Sequence, residues 1–151
     1  MLINPNKWKL LYGSSQLTGF NGESVMAIQT RILIIDDEPI VGERLKASLK
    51  RAGFAVDAFV VSRDALNNLK QKTYDILVTD LKMKKPDGLE VLKAAKQQQP
   101  DIKAVVITGF ATKQLAAEAH DAGAVHFIAK PFKISHLIEL LRTISIPADR
   151  N

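Results

Sequence analysis

The chain has 151 residues, 46% of them apolar and 25% charged, with no cysteine and a formal net charge of +5. That length and apolar content suit one domain with a buried core, and the lack of cysteine excludes disulfides, thiolate metal sites and a cysteine nucleophile. No stretch reaches the ~18 consecutive apolar residues of a membrane span, and so small a charge points to a solvated basic surface rather than a nucleic-acid module.

Composition changes near residue 26. Residues 1–25 hold the single tryptophan, Trp8, with Gly13, Gly19, Gly22 and the pair Ser14-Ser15, and show neither a helical nor a strand period. The apolar stretch Leu10 to Tyr12 falls far short of the roughly 7–15 residues at the heart of a secretory signal. Residues 1–29 therefore read as a flexible extension, with Met26 an alternative start of translation. The domain is expected over 30–145 and a tail over 146–151. A cytoplasmic location is the default expectation.

From Arg31 the pattern is regular. Ile32-Leu33-Ile34-Ile35 is a wholly apolar run that suits a strand buried on both faces. Helical spacing over 39–52 places Ile40, Val41, Leu45, Leu49 and Ala52 on one face, and Gly53 stops that helix. Phe54 to Val60 reads as a second strand. A helix over 63–71 follows, with Ser62 as its N-cap. Ile76 to Val78 is the third strand, and the loop from Asp80 to Asp87 leads into a helix carrying Leu89, Val91, Leu92 and Ala95. After Pro100-Asp101 come a fourth strand over Ile102 to Ile107, a helix over 111–121, a fifth strand over Val125 to Ala129, and a helix over 134–144. Strict alternation of strand and helix predicts an α/β fold: a doubly wound parallel sheet covered by helices on both faces. In such folds ligands bind beyond the carboxyl ends of the strands.

The polar residues fall at those ends. The first strand leads into Asp36-Asp37, the third into Asp80, the fourth into Thr108 and the fifth into Lys130-Pro131. A single Asp at a strand end is more often a turn residue or helix cap than a ligand. Four strand ends delivering polar groups to one crevice are harder to explain that way. Carboxylates held close together repel, and a hard divalent cation such as Mg2+ relieves the repulsion. A lysine and a hydroxyl beside them suit phosphoryl transfer to a carboxylate.

Four segments carry a family resemblance: ILIIDDEP at 32–39, VTDLKMKKPDG at 78–88, VVITGFA at 105–111 and FIAKPF at 127–132. Residues 30–145 resemble the receiver (response regulator) domains of bacterial two-component signalling. The resemblance implies a flavodoxin-like sheet with strand order 2-1-3-4-5. It implies Asp80 as phosphoacceptor, and Mg2+ or Mn2+ held by Asp36, Asp37, Asp80 and the backbone carbonyl of Lys82, with Asp37 the direct ligand and Asp36 acting through water. Thr108 is implied as the hydroxyl that follows the phosphoryl group, Lys130 as its charged partner, and Phe127 as the aromatic that turns inward with Thr108. The Lys130-Pro131 bond is expected to be cis. The implied partners are a sensor histidine kinase or histidine phosphotransfer protein, and a downstream protein meeting the 111–144 face.

The chain departs from the family pattern at several places. Lys84 stands where a proline is common, and Pro86 appears two residues later. Lys82, Lys84 and Lys85 put three positive charges beside the chemistry, where the first reading is a solvated loop and the sharper one a role in tuning phosphodonor access or phosphoryl lifetime. Phe110 is bulky enough to restrict an attacking water. Phe127 lacks the hydroxyl of the commoner tyrosine. His120, His126 and His136 read as surface or packing residues. Few residues follow 145, so the expectation is a stand-alone phosphorelay regulator, monomeric or dimerising on phosphorylation, with no direct DNA or membrane contact. It would be a signalling domain whose only catalysis is its own phosphorylation and dephosphorylation. The alternative is an aspartyl phosphatase or phosphotransferase of the haloacid dehalogenase type, but Asp36-Asp37-Glu38-Pro39 stands where that type carries Asp-x-Asp-x-Thr.

Overall fold

The computed structural model describes residues 16–18, 24–26 and 29–145. The remaining residues of the predicted extension and the predicted tail lie outside the described residues. Within 1–29, Gln16–Thr18 and Ser24–Met26 pair as a short antiparallel ribbon. The sequence shows no period there, because strands this short are too brief to establish one.

The domain is a five-stranded parallel sheet. Its strands are β1 (Arg31–Ile35), β2 (Ala55–Phe59), β3 (Ile76–Asp80), β4 (Lys103–Thr108) and β5 (Ala124–Ala129). Their order across the sheet is β2-β1-β3-β4-β5. The helices are α1 (Pro39–Arg51), α2 (Ser62–Leu69), α3 (Gly88–Gln98), α4 (Lys113–Asp121) and α5 (Ile134–Ser145). Chain order reverses direction between β1 and β3, so the switch point that forms a crevice lies between these two central strands.

The central strands separate two cores because successive side chains point to opposite faces. Leu33, Ile35, Leu77 and Val106 join Leu69, Leu92 and Ala119 under α2, α3 and α4. Ile32, Ile34, Val78 and Ile107 join Leu45, Leu49, Leu137 and Leu141 under α1 and α5. The uninterrupted apolar runs of β1 and β3 follow from this double burial.

Helix ends show where sequence and structure part. Gly53 and Gly123 take φ of 102° and 107°, the left-handed conformation that closes α1 and α4. Asp87 and Thr112 cap α3 and α4, accepting the N–H of Glu90 and Leu115. Ser62 is not a cap: Val61 holds that position, Ser62 is the first helical residue, and its hydroxyl donates to Met83 Sδ. Ile40, expected on the apolar face of α1, stays 68% exposed, because at roughly 100° of rotation per residue it stands opposite Leu49, while Val41, Leu45 and Leu49 form the face that meets the core.

Candidate functional site

The carboxyl ends of β1, β3, β4 and β5 bring Asp36, Asp80, Thr108 and Lys130 to one edge of the sheet. Asp36 and Asp80 are 4% and 7% exposed, and Thr108 is fully buried. Pleating sorts them. Asp36, Asp80 and Lys130 continue the alternation of Ile34, Val78 and Ile128, whereas Thr108 continues that of Val106 on the other face.

Lys130 joins the two acidic strands. Its Nζ donates to Asp80 Oδ2 at 3.0 Å and to Asp36 Oδ2 at 3.3 Å. The other oxygens of the two carboxylates accept backbone N–H groups. Asp36 Oδ1 takes that of Glu38 at 2.9 Å, and Asp80 Oδ1 takes that of Lys82 at 3.1 Å. Burial pushes the Asp36 carboxyl above its ordinary pKa, against the opposing Glu38 N–H and Lys130 charge. Burial works against the Lys130 ammonium, but the hydrogen bond from Lys130 to Asp80 and the charges of Asp36 and Asp80 prevail and raise its pKa.

The turn at Asp36 folds Glu38 back, so the carboxylate oxygens of Asp36, Glu38 and Asp80 lie within 4.8 Å of one another. Glu38 is the site residue that sequence reasoning missed. Its only signal is position, two residues past Asp36, where the Asp side chain can accept its N–H. Asp37 is exposed and its carboxylate is not in this group. Three carboxylates against one ammonium leave an excess of negative charge. This oxygen-only donor set fits a hard divalent cation such as Mg2+.

The surrounding loops are held by close contacts. Gly88, the first residue of α3, donates its N–H to Leu81 O at 3.1 Å. A Cβ at Gly88 would stand 2.1 Å from the Asp80 carbonyl oxygen, so only glycine lets α3 approach the end of β3 this closely. Thr108 Oγ1 accepts the N–H of Phe110 at 3.1 Å, and Thr108 O accepts the N–H of Lys130 at 2.9 Å. Phe127 is half-buried and packs with the core under α4. It pairs in register with Val106, while Thr108 pairs with Ala129. Phe127 and Thr108 therefore share a face of the sheet.

The three loop lysines have separate settings. Lys82 Nζ lies 5.0 Å from the centre of the exposed Phe110 ring, linking the β3–α3 and β4–α4 loops. Lys85 pairs with Glu90 at 2.5 Å and Asp87 at 3.3 Å, while Lys84 is exposed. The Lys130-Pro131 and Lys85-Pro86 bonds are both cis, the second unanticipated. His120, His126 and His136 are all exposed.

Known proteins share this arrangement of elements. The profile of the response regulator receiver domain matches residues 32–142. The chain is 32% identical over 114 residues to the transcriptional regulatory protein QseB of Haemophilus influenzae, covering 76% of this chain and 52% of that protein. It is 33% identical over 118 residues to the transcriptional regulatory protein FixJ of Bradyrhizobium diazoefficiens, covering 78% of this chain and 58% of that one. Against these curated relatives the chain spans little more than half their length. A CheY-like receiver domain protein from Methanospirillum hungatei superposes with a TM-score of 0.75 at 25% identity, covering 78% of this chain and 95% of that chain. Vibrio cholerae chemotaxis protein CheY4 shares the fold, with a TM-score of 0.73 at 23% identity over 78% of this chain and 99% of that chain.

Proposed function

The chain belongs to the response regulator receiver family, and on that premise we propose that it accepts a phosphoryl group on Asp80 from a phosphohistidine of a kinase or phosphotransfer protein. An Asp80 carboxylate oxygen forms the new O–P bond as the N–P bond to the donor histidine breaks, and the electron pair stays on the imidazole nitrogen. Lys130 carries the argument. Its ammonium already contacts the Asp80 carboxylate, and it can neutralise charge on a phosphoryl oxygen built there.

Asp36, Glu38 and Asp80, with Asp37 and the Lys82 carbonyl adjacent in the chain, would hold Mg2+ or Mn2+. The cation, when bound, would neutralise charge on the transferring group and on the carboxylates. Thr108 would give its hydroxyl to the new phosphoryl oxygens and exchange its contact with the Phe110 N–H. Phe127, on the same face, would repack as Thr108 moves. The face built from α4, β5 and α5 would then favour a different partner, which is a two-state shift driven by local charge.

Intact mass measured after incubation with Mg2+ and acetyl phosphate tests this reading. One phosphoryl adduct is expected on the wild type and none on Asp80→Ala. An unmodified wild type that also fails to bind beryllofluoride would overturn it.

A further inference from the structure

The free edge of the sheet at β2 has the makings of a peptide site at the opposite end from Asp80. Among the described residues β2 pairs with β1 alone. Ala55 N–H donates to Thr30 O, and Phe59 O accepts from Asp36 N–H. In a parallel ladder the N–H and C=O of one residue face the same neighbour, and the next residue faces away. Ala55, Asp57 and Phe59 are therefore spent on β1, and Val56 and Ala58 turn their backbone groups to the open edge.

A groove of about 660 Å³ wraps this edge, lined by Arg31, Lys50, Val56, Asp57, Lys72 and Tyr74. Its charges are arranged by face. Lys50, near the end of α1, stands on the side that covers Val56. Arg31 and Lys72 stand on the other side with Asp57 and Tyr74. Asp57 is already engaged: its Oδ2 accepts Lys72 Nζ at 2.6 Å and Tyr74 Oη–H at 2.5 Å. Among the described residues neither Arg31 nor Lys50 has an ion-pair partner. With Lys72 offset by Asp57, Arg31 and Lys50 leave one unpaired cation on each face of this edge among the described residues, with the Asp75 carboxylate, which accepts the Arg31 backbone N–H at 2.8 Å, beside the first.

We propose that the β2 edge binds an extended acidic peptide segment of a partner protein, which adds to the sheet as a further strand. Main-chain hydrogen bonds to Val56 and Ala58 supply affinity, and side chains supply specificity. Successive side chains of the added strand point to opposite faces. Two consecutive acidic residues would therefore meet Lys50 on one face and Arg31 on the other. The pairing is independent of phosphoryl transfer.

A fluorescein-labelled peptide, Val-Thr-Val-Glu-Asp-Val-Thr-Val, titrated with the full chain and read by anisotropy, tests the proposal. Saturable binding is expected, weakened about tenfold by Arg31→Glu with Lys50→Glu. A peptide with Lys-Lys in place of Glu-Asp should bind far more weakly. N-methylation of alternate peptide nitrogens needs no change to the protein. One methylated set should abolish binding, and the complementary set should leave it intact. In amide exchange the bound peptide should protect Val56 and Ala58. Absent binding, equal binding of the lysine peptide, indifference to both methylated sets, or protection elsewhere would each overturn the proposal. So would concentration-dependent protection of the same amides without peptide, which would mark a second copy as the occupant.

Discussion

Lys130 Nζ and Asp80 Oδ2 lie 3.0 Å apart across the ends of two strands that are not neighbours, with β4 between them. The same ammonium reaches Asp36, so one cation offsets two carboxylates that are each almost fully buried. Removing it as Lys130→Met leaves both carboxylates without a counter-charge. The loss of stability should stay below the ~3–5 kcal/mol typical of a broken fully buried pair, because the Lys130 side chain keeps 23% exposure. Urea unfolding at neutral pH in chelator measures it, and an unchanged midpoint would show that the bridge contributes nothing.

Asp36 should behave in the opposite sense. Its pKa is raised by burial, so the native state binds its proton more tightly than the unfolded chain does. A group of that kind favours folding at low pH, and the benefit is lost as pH rises through the folded pKa. At neutral pH without metal the ionised Asp36 is therefore a cost, and Asp36→Asn is expected to raise Tm. The gain should shrink as pH falls towards the ordinary carboxylate range. Lys130 works at the alkaline end: with a raised pKa, its contribution is complete below about 10.4 and disappears as pH rises through its folded value. Thermal melts of wild type and Asp36→Asn across pH, in chelator, check both signs. A variant less stable than wild type at neutral pH would reverse the argument.

Gly88 and Gly109 make a matched pair. A Cβ at Gly88 would meet the Asp80 carbonyl oxygen at 2.1 Å and Leu81 Cα at 2.5 Å, both backbone atoms that cannot swing aside. Gly88→Ala must push α3 away from β3, at a cost of about 1–3 kcal/mol. It should also displace the phosphoacceptor candidate. A Cβ at Gly109 meets nothing within 4 Å, so Gly109→Ala is expected to be neutral or slightly stabilising through the unfolded chain. Denaturant midpoints separate the two, and equal effects would contradict the geometry.

The sheet was legible in the sequence because β1 and β3 are buried on both faces and so appear as unbroken apolar runs, such as Ile32 to Ile35. Asp36, Asp80, Thr108 and Lys130 were legible because strand ends in this topology share an edge. Glu38 was not, since its approach depends on a side chain accepting a backbone N–H at the turn. Ser62 was misplaced by one residue, because a serine before a helical period suits a cap or a first-turn position equally. Here its hydroxyl serves Met83 instead. Ile40 was placed on the apolar face by proximity to Val41, but it stands about half a turn round the helix from Leu49 and so remains exposed. The Lys82–Phe110 contact joins two loops and leaves no trace in either segment alone.

That contact makes a prediction about lifetime. Phe110 is 59% exposed, two residues beyond Thr108, and Lys82 Nζ sits over its ring. With Asp80 phosphorylated as proposed, this ring and cation, carried on the loops that follow Thr108 and Asp80, would narrow the approach of water to the phosphoryl group. Phe110→Ala should therefore shorten the phosphoryl half-life, and Lys82→Ala should shorten it less, because the ring remains. Lys85→Ala should leave it unchanged, since that ammonium is tied to Asp87 and Glu90. Decay of the acyl phosphate followed by intact mass gives all three rates. A Phe110→Ala half-life equal to wild type would remove the shielding role.

At the opposite end of the sheet Gln99 closes the domain. Its Oε1 accepts the Tyr74 N–H at 2.9 Å, and its Nε2 donates to Leu69 O at 3.0 Å and Lys72 O at 2.8 Å. One side chain just past α3 thus holds the segment between α2 and β3. Gln99→Ala strands the N–H of the buried Tyr74, and an unsatisfied buried donor costs about 1–3 kcal/mol. The loss should be local first: amides 69–75 should exchange faster while those of β1 and β3 keep their protection. Gln99→Glu keeps an acceptor for Tyr74 but sets a carboxylate oxygen against the Leu69 and Lys72 carbonyl oxygens, so it should lose at least as much protection as alanine. Protection at 69–75 equal to wild type in both variants would show that backbone bonds alone hold the segment.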